Sequence, residues 1–487
     1  MCFSIIAGRN TTTTGCVIMG VNDDWPGSPG QVHHQPHQVH DKADTFVSVK
    51  GIQIPQVSET YAYTYTVCDY ATGTRPLSWA NGMNENQVAV GMMGVYTFHN
   101  AQGEKDILEA DDISILILER GKTARQSIQM IGELIDEYGY SVSSIEGGEG
   151  AVVIAISDPK EGFFLELVPG GLWVAKKVAD DEIECRPNCF GTQEVDFSDH
   201  DTFMYSANLR SYAIEHNLYD GSLDDDSKPF NFSKIYSQGP IVSEAFGGTD
   251  RAVNQLRRYN GVNRLCGLEH DPSSYIYKGK PNKNLSVADI MALLGDTFED
   301  TEYDLSQREE AGLAHNPLWM EVSHSIGQGG TVFSMVFELS DNEGVVEANK
   351  STAGCMWIAP AASKLSCFVP FYIEVSDIPK PYQLAITGDY DLDSAWWAFQ
   401  EVGQLCYRNY DAIAKDLVIP KFKQLQHEFF AEQQRINQKI ATLNHDERIK
   451  LLTEFTHNSA IEAYEVALEL GKYIKGKYLS NTIVEWL

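Results

Sequence analysis

The chain has no excess of positive charge. Its 37 Lys and Arg stand against 68 Asp and Glu, a formal net charge of −31. A surface so acidic repels nucleic acid and anionic membrane, and neither is expected as a partner. The nine cysteines include no paired C-x-x-C spacing and are odd in number. That argues against a disulfide framework and fits mostly buried free thiols in a reducing compartment, so a cytoplasmic location is expected. No apolar run approaches ~18 residues, so no membrane span is expected. The N-terminus lacks a basic region followed by a long apolar core, so no signal peptide is expected. There is no internal repeat and no low-complexity linker. What is left is a soluble globular chain of 487 residues, 43% apolar and 22% charged, enough to bury one large core or two medium ones.

The apolar spacing sorts into strands, then helices, then strands. Residues 2–7 and 16–21 read as strands joined by the turn-like Thr11–Gly15, a hairpin at the N-terminus, and Asn22–Gly27 reads as a loop leaving it. Residues 28–50 are polar and read as irregular. Strands follow at 60–68 and 88–93, the latter leaving a turn over 78–87. Residues 111–138 carry three- and four-residue apolar steps, which predicts two helices parted at Gly121. Strands return at 151–157, 163–168 and 172–178. Residues 197–300 read as helix and loop, with the clearest helix at 285–294 behind a Ser286 N-cap. Strands are predicted within 320–375, and long charged helices over 410–443 and 446–477. Tight turns joining the strands, with helices segregated from them, predict antiparallel sheets in an α+β layered domain. The expected organisation is one compact unit over residues 2–400 with a helical C-terminal extension over 401–487.

Three stretches carry candidate chemistry. Cys2 follows Met1, and a cysteine is small enough for an aminopeptidase to remove that Met. The exposed α-amine, pKa ~7.7–8.0, would then sit as a base beside its own thiol, pKa ~8.5, and activate it without a histidine. The second stretch is Gly20–Trp25. A carboxylate ending the second strand of the hairpin could reach the start of the first and hold the Cys2 amine, which selects Asp24, although acidic loops are common in so acidic a chain. The third is Asn84 in the Gly-Met-Asn-Glu turn, where an Asn amide could donate to a developing oxyanion or serve only to form the turn. His33, His34, His37 and His40 raise a metal site, but only Asp41 accompanies them, and a solvated polar loop explains them better. No metal and no cofactor are expected.

Together these residues carry a resemblance. Met1-Cys2 with its hairpin, Asn22–Trp25 and Asn81–Ala89 resemble the dipeptidase A and secernin family of N-terminal-nucleophile peptidases. Leu118–Arg125, Ser157–Glu161, Trp173–Val178 and Pro187–Phe190 continue the match, followed by Leu285–Val287, Thr301–Asp304 and Phe368–Tyr372. All are in family order. The chain is more distantly similar to choloylglycine hydrolases and penicillin V acylases. The resemblance implies a four-layer αββα fold and hydrolysis of dipeptides through a covalent thioester. By position it implies Cys2 as nucleophile, Asp24 as the acid that contacts the free amine, and Asn84 as a residue lining the oxyanion hole. Asn188 matches an Asn that positions the substrate amide or the nucleophile. One departure stands out: the family usually has Arg where this chain has Val21. Arg251, Arg257 and Arg258 lie where relatives place a later active-site Arg, although a solvated helix face is the expectation for any single one.

The function expected is therefore a cysteine dipeptidase acting on small peptides, with a homo-oligomer left open. Two alternatives stand beside it. One is an acylase cleaving a penicillin-type or bile-salt amide with the same chemistry. The other is a non-catalytic interaction protein whose acidic C-terminal helices bind a partner. For a dipeptidase, Asp23 or Glu85 are candidates to meet the substrate ammonium.

Overall fold

A computed structural model describes residues 2–25, 27–68, 80–95, 97, 105, 107–141, 151–223, 228–237, 252–268, 276–318, 325–340, 354–384, 389–440 and 442–479. Helices and antiparallel sheets are both present, and the C-terminal region is helical. The chain divides into two compact units. The first comprises Met1–Met19, His37–Tyr63 and Trp79–Ser286, and the second Gly20–Pro36, Thr64–Ser78 and Val287–Leu487.

In the first unit the strand Phe3–Ala7 pairs antiparallel with Ile183–Pro187, which pairs in turn with Lys278–Gly279. A second run of antiparallel strands follows the order Phe203–Tyr205, Leu172–Lys177, Gly162–Val168, Ala151–Ser157, Ala89–Val95 and Asn81–Asn84. Side chains alternate across a strand, and this alternation builds the layers. Ile6 points toward the second run, where a β-carbon at Gly162 would lie 2.5 Å from its Cγ2. Phe3, on the opposite face, meets the helix Ala252–Cys266, where a β-carbon at Gly261 would lie 3.0 Å from the Phe3 ring and from Cys185 Sγ. The outer face of the second run carries Ala110–Arg120 and Ala124–Tyr138. Gly132 of the latter lies against Trp173, with no room for a methyl group. Within the first unit, then, Ala252–Cys266 packs on the strand pair Phe3–Ala7 and Ile183–Pro187, and Ala110–Arg120 and Ala124–Tyr138 pack on the second run.

The second unit packs the strands Thr331–Glu338, Cys355–Pro360 and Val369–Tyr372 in that order, with most of Ile18–Asp24 beside the first of them. Helices Val287–Leu294, Ala395–Cys406, Ile419–Ile440 and His445–Ile474 pack on these strands. A second pair, Gly30–Gln35 and Tyr63–Cys68, packs against them through Thr66, whose hydroxyl lies 3.2 Å from Met335 Sδ.

Three expectations are corrected. Asn22–Asp24 is strand, not loop, and all three residues are buried. Their polar side chains are tolerated because tertiary partners satisfy them, as described below. Residues 28–50, read as irregular, hold strands at Gly30–Gln35, Gln38–Val39 and Thr45–Val47. Ladder partners such as Thr60, Glu59, Ile54 and Gln53 supply the hydrogen bonds that the polar composition does not advertise. The helix expected from Leu285 begins at Val287. Leu285 instead extends a bridge to Thr11–Thr13, its N–H donating to Thr11 O at 2.7 Å while its carbonyl accepts from Thr13 N at 2.9 Å.

Candidate active site

Cys2 is buried, 6% exposed, at the start of the strand Phe3–Ala7. The helix Ala252–Cys266 reaches it. Because Gly261 lets this helix lie close on Phe3, Arg257, four residues earlier and on the same face, delivers its guanidinium to the strand's start. Arg257 is fully buried, and its Nη1 donates to the Cys2 carbonyl at 2.9 Å. Its Nη2 donates to Asn188 Oδ1 at 3.1 Å and to Asn254 Oδ1 at 2.8 Å. Asn254 returns a bond to the Asn188 carbonyl at 3.2 Å. A buried guanidinium stands only where acceptors meet its donors, and here Cys2 and Asn188 supply two of them. Arg258 is also buried, donating to Ile276 O at 3.0 Å. The solvated helix face expected for these two arginines is overturned. Arg251 lies outside the described residues.

Asn188 is half-buried. Its Nδ2 donates to Gly94 O at 2.9 Å, and its second amide N–H has no partner among the described residues. Glu166 pins the segment just beyond it, accepting from Gly191 N at 3.0 Å, Thr192 N at 2.9 Å and Thr192 Oγ1 at 3.1 Å. The neighbouring Cys189 lies within the fields of Arg258, Arg186 and Arg257, but burial outweighs them and pushes its thiol up from its usual value.

Asn84 is placed differently. It is fully buried at the end of Asn81–Asn84. Its Nδ2 donates to Leu118 O at 3.1 Å and Gly121 O at 2.8 Å, and its Oδ1 accepts from Asn86 N and Val88 N, both at 3.0 Å. Both amide hydrogens are therefore committed to the helix end at Gly121, and the turn is fixed with Gln87 at φ 61°. Glu85, on the same turn, holds His37 Nδ1 at 2.6 Å.

Asp24 belongs to the second unit, at 1% exposure. Oδ1 accepts from Thr331 Oγ1 at 2.6 Å and Oδ2 from Gln328 Nε2 at 3.1 Å. Asn22 ties the same strand down, donating to Leu294 O at 2.9 Å and Ile326 O at 2.8 Å and accepting from Ser334 Oγ at 2.6 Å. Asp23 accepts from Cys68 Sγ at 3.1 Å. Within the first unit, then, Cys2 and Asn188 share one arginine, while Asn84 is anchored in its own turn.

The histidines of the polar stretch each have a separate partner: Gln31 for His33, Thr64 for His34, Glu85 for His37 and Thr60 for His40. Among the described residues no group of three or more His, Cys, Asp or Glu side chains could hold a metal ion, and no helix is long and apolar enough to cross a membrane. All nine cysteines are buried, and none is in a disulfide.

A family model described as peptidase family C69 matches residues 1–421. The chain belongs to peptidase family C69. Its relatives include a "Probable dipeptidase" of Latilactobacillus sakei, 26% identical over 422 residues that cover 84% of this chain and 82% of the relative. A "Probable dipeptidase B" of Lactococcus lactis subsp. lactis (strain IL1403) is 24% identical over 466 residues, 91% of this chain and 90% of the relative. "Dipeptidase A" of Lactobacillus helveticus is 22% identical over 426 residues, 84% and 82%. The C69 match runs through every candidate residue from Cys2 to Arg257. Arg257 itself was indistinct in sequence among three nearby arginines. The signal that could have selected it is the spacing Asn254, Arg257, Gly261, which sets an acceptor, the cation and a close-approach glycine on one helix face.

Proposed function

We propose that this C69 peptidase is a cysteine dipeptidase with Cys2 as its N-terminal nucleophile after Met1 is removed. The observation that carries the proposal is the buried Arg257 guanidinium that joins the Cys2 carbonyl to the Asn188 amide. The names of the relatives support the substrate class. The helices packed on the strand pair and on the second run of the first unit support an αββα N-terminal-nucleophile fold. On the same reading residues 2–400 form the hydrolase part, 401–487 its helical extension, and the protein works in the cytoplasm.

In this mechanism the Cys2 α-amine takes the thiol proton, and the sulfur attacks the peptide carbonyl. The tetrahedral oxyanion accepts the unpaired N–H of Asn188. Collapse breaks the C–N bond, and the ammonium of Cys2 returns the proton to the departing amine. The thioester is then hydrolysed by water, the same amine serving as base. Asp24 has the role of orienting the amine, a proposal that rests on the Gly20–Trp25 match. Arg257 holds the Cys2 carbonyl, fixes Asn188 and adds positive charge. Its position offers a substitute for the family Arg absent at Val21. For Asn84, which the resemblance sets at the oxyanion hole, the proposed role is to keep its turn rigid, since both its amide hydrogens are already used.

The test is hydrolysis of a free dipeptide, its N-acetylated form and a penicillin or bile-salt amide at matched concentration, by the wild type and by Cys2→Ala. Cleavage of the free dipeptide alone, abolished in Cys2→Ala, supports the proposal. Faster cleavage of the blocked peptide or the amide would make the enzyme an acylase and keep the nucleophile. Full activity in Cys2→Ala would remove the mechanism.

A further inference from the structure

The turn that carries Asn188 is held at both ends by one buried pair of opposite charges. Asn188 lies just beyond the strand Ile183–Pro187, in the short segment that leads to Gly191 and Thr192. At the near end stands Arg186, fully buried. At the far end stands Glu166 of the strand Gly162–Val168, also fully buried. Glu166 Oε1 takes the three donors of Gly191 and Thr192 and lies 3.6 Å from Arg186 Nε. One oxygen atom therefore joins the two anchors. The backbone between them is tightly turned, with Cys189 N donating to Pro187 O at 2.6 Å.

Arg186 is itself fixed. Glu184, two residues earlier on the same face of the strand, pairs with it and with Lys176. The guanidinium lies over the rings of Phe164 and Tyr277, 4.8 Å and 4.3 Å from their centroids, and the negative face of an aromatic ring attracts a cation. Phe164 shares its strand face with Glu166. Gly191 completes the packing. A β-carbon there would lie 2.3 Å from the guanidinium carbon, so the absence of a side chain lets the backbone come this close to the charge.

Stability does not account for this arrangement. Taking two charges out of water costs about as much as their pairing returns, and apolar residues of similar volume often serve a core as well. An apolar side chain, however, offers no acceptor. Three donors of the segment can meet at one point only if a carboxylate is held there, and Arg186 holds it.

We propose that Glu166, backed by Arg186, is a positioning residue for the hydrolysis: it sets the backbone from which Asn188 aims its second N–H at the oxyanion. The inference rests on the oxyanion role given to Asn188 in the proposed mechanism. Glu166 acts through the segment and not on the substrate.

The experiment is a double-mutant cycle on dipeptide hydrolysis, with kcat and KM per folded molecule for the full-length wild type, Asn188→Ala, Glu166→Leu and the double variant. Such a cycle isolates the coupling between two residues. Glu166→Leu should lower kcat about tenfold or more, part of the 10²–10³ that one oxyanion donor contributes, with a smaller change in KM. In the Asn188→Ala background it should lower kcat little further, because no donor is left to aim. Iodoacetamide should alkylate Cys2 at the wild-type rate in all four proteins. Should Glu166→Leu fail to fold, Gly191→Ala replaces it in the cycle, since it keeps every charge and shifts the segment off Arg186; the same pattern is expected. Equal losses of kcat in both backgrounds, or slowed alkylation of Cys2, would show a general structural role and overturn the proposal. A wild-type kcat in the Glu166 or Gly191 variant beside a slow Asn188→Ala would overturn it alone and leave the mechanism standing. An unchanged kcat in Asn188→Ala would remove the oxyanion reading and this proposal with it.

Discussion

Asn84 ends one strand and Asn188 follows another, and the resemblance singles out both, but their side chains are bonded in opposite ways. Asn84 is fully buried, with four hydrogen bonds that consume both amide hydrogens and both lone pairs of its oxygen. Asn188 is half-buried, with one bond from its amide nitrogen and its oxygen held by Arg257. A saturated Asn stiffens backbone, whereas an Asn with a spare, oriented N–H can stabilise charge that develops during a reaction. The residue type alone cannot distinguish the two; the count of partners can.

The sharpest test of this contrast is the rate. Asn188→Ala should lower kcat by on the order of 10²–10³, the cost of one oxyanion donor, with a smaller effect on KM. A loss under tenfold would place Asn188 outside the chemistry. Asn84→Ala should do the reverse. It strands Leu118 O, Gly121 O, Asn86 N and Val88 N, so thermal or urea unfolding should report a loss of about 2 kcal/mol or more. The rate per folded molecule should stay within about tenfold, because both amide hydrogens of Asn84 are already committed to backbone carbonyls. A stable Asn84→Ala protein with a hundredfold lower kcat would exchange the two roles.

The smallest effect is expected at Cys189, next to Asn188. Three guanidiniums lie near it, and on charge alone it rivals Cys2 as a nucleophile. Burial nevertheless raises its thiol pKa, as burial raises those of Cys266 and Cys406 to about 12. A raised thiol pKa means the protonated, unreactive form persists at pH 8. Brief iodoacetamide treatment of the native protein at pH 8 should therefore alkylate Cys2 before any other cysteine, and Cys189→Ser should keep full activity. Preferential labelling of Cys189 would transfer the nucleophile to it.

How much of this was legible in the sequence follows from where the deciding contacts lie. The helices at Ala110–Arg120 and Ala124–Tyr138, and the strands around Ala151–Val168, show their periodicity because their burial is apolar and local. Cys2 stood out because the chemistry proposed for it needs only a position in the chain. Asn22–Asp24 was read as loop because polar residues normally signal one. Its partners Leu294, Ile326, Gln328, Thr331 and Ser334 lie about 300 residues downstream, beyond any local pattern. Arg257 was hidden for the same reason, since a cation on a helix reads as solvated until the acceptors at Cys2 and Asn188 are seen. The pair Glu166 and Arg186 gave no sequence signal, because they lie on separate strands and only tertiary packing joins them.

The central claim is that the free α-amine of Cys2 activates its own thiol, and intact-mass measurement with activity on the same sample tests it most directly. Active protein should have the mass of the chain lacking Met1, and loss of activity should track addition of one alkyl group mapped to Cys2. A preparation that retains Met1, or carries an uncleaved residue before Cys2, and still hydrolyses dipeptides at the full rate would contradict the account.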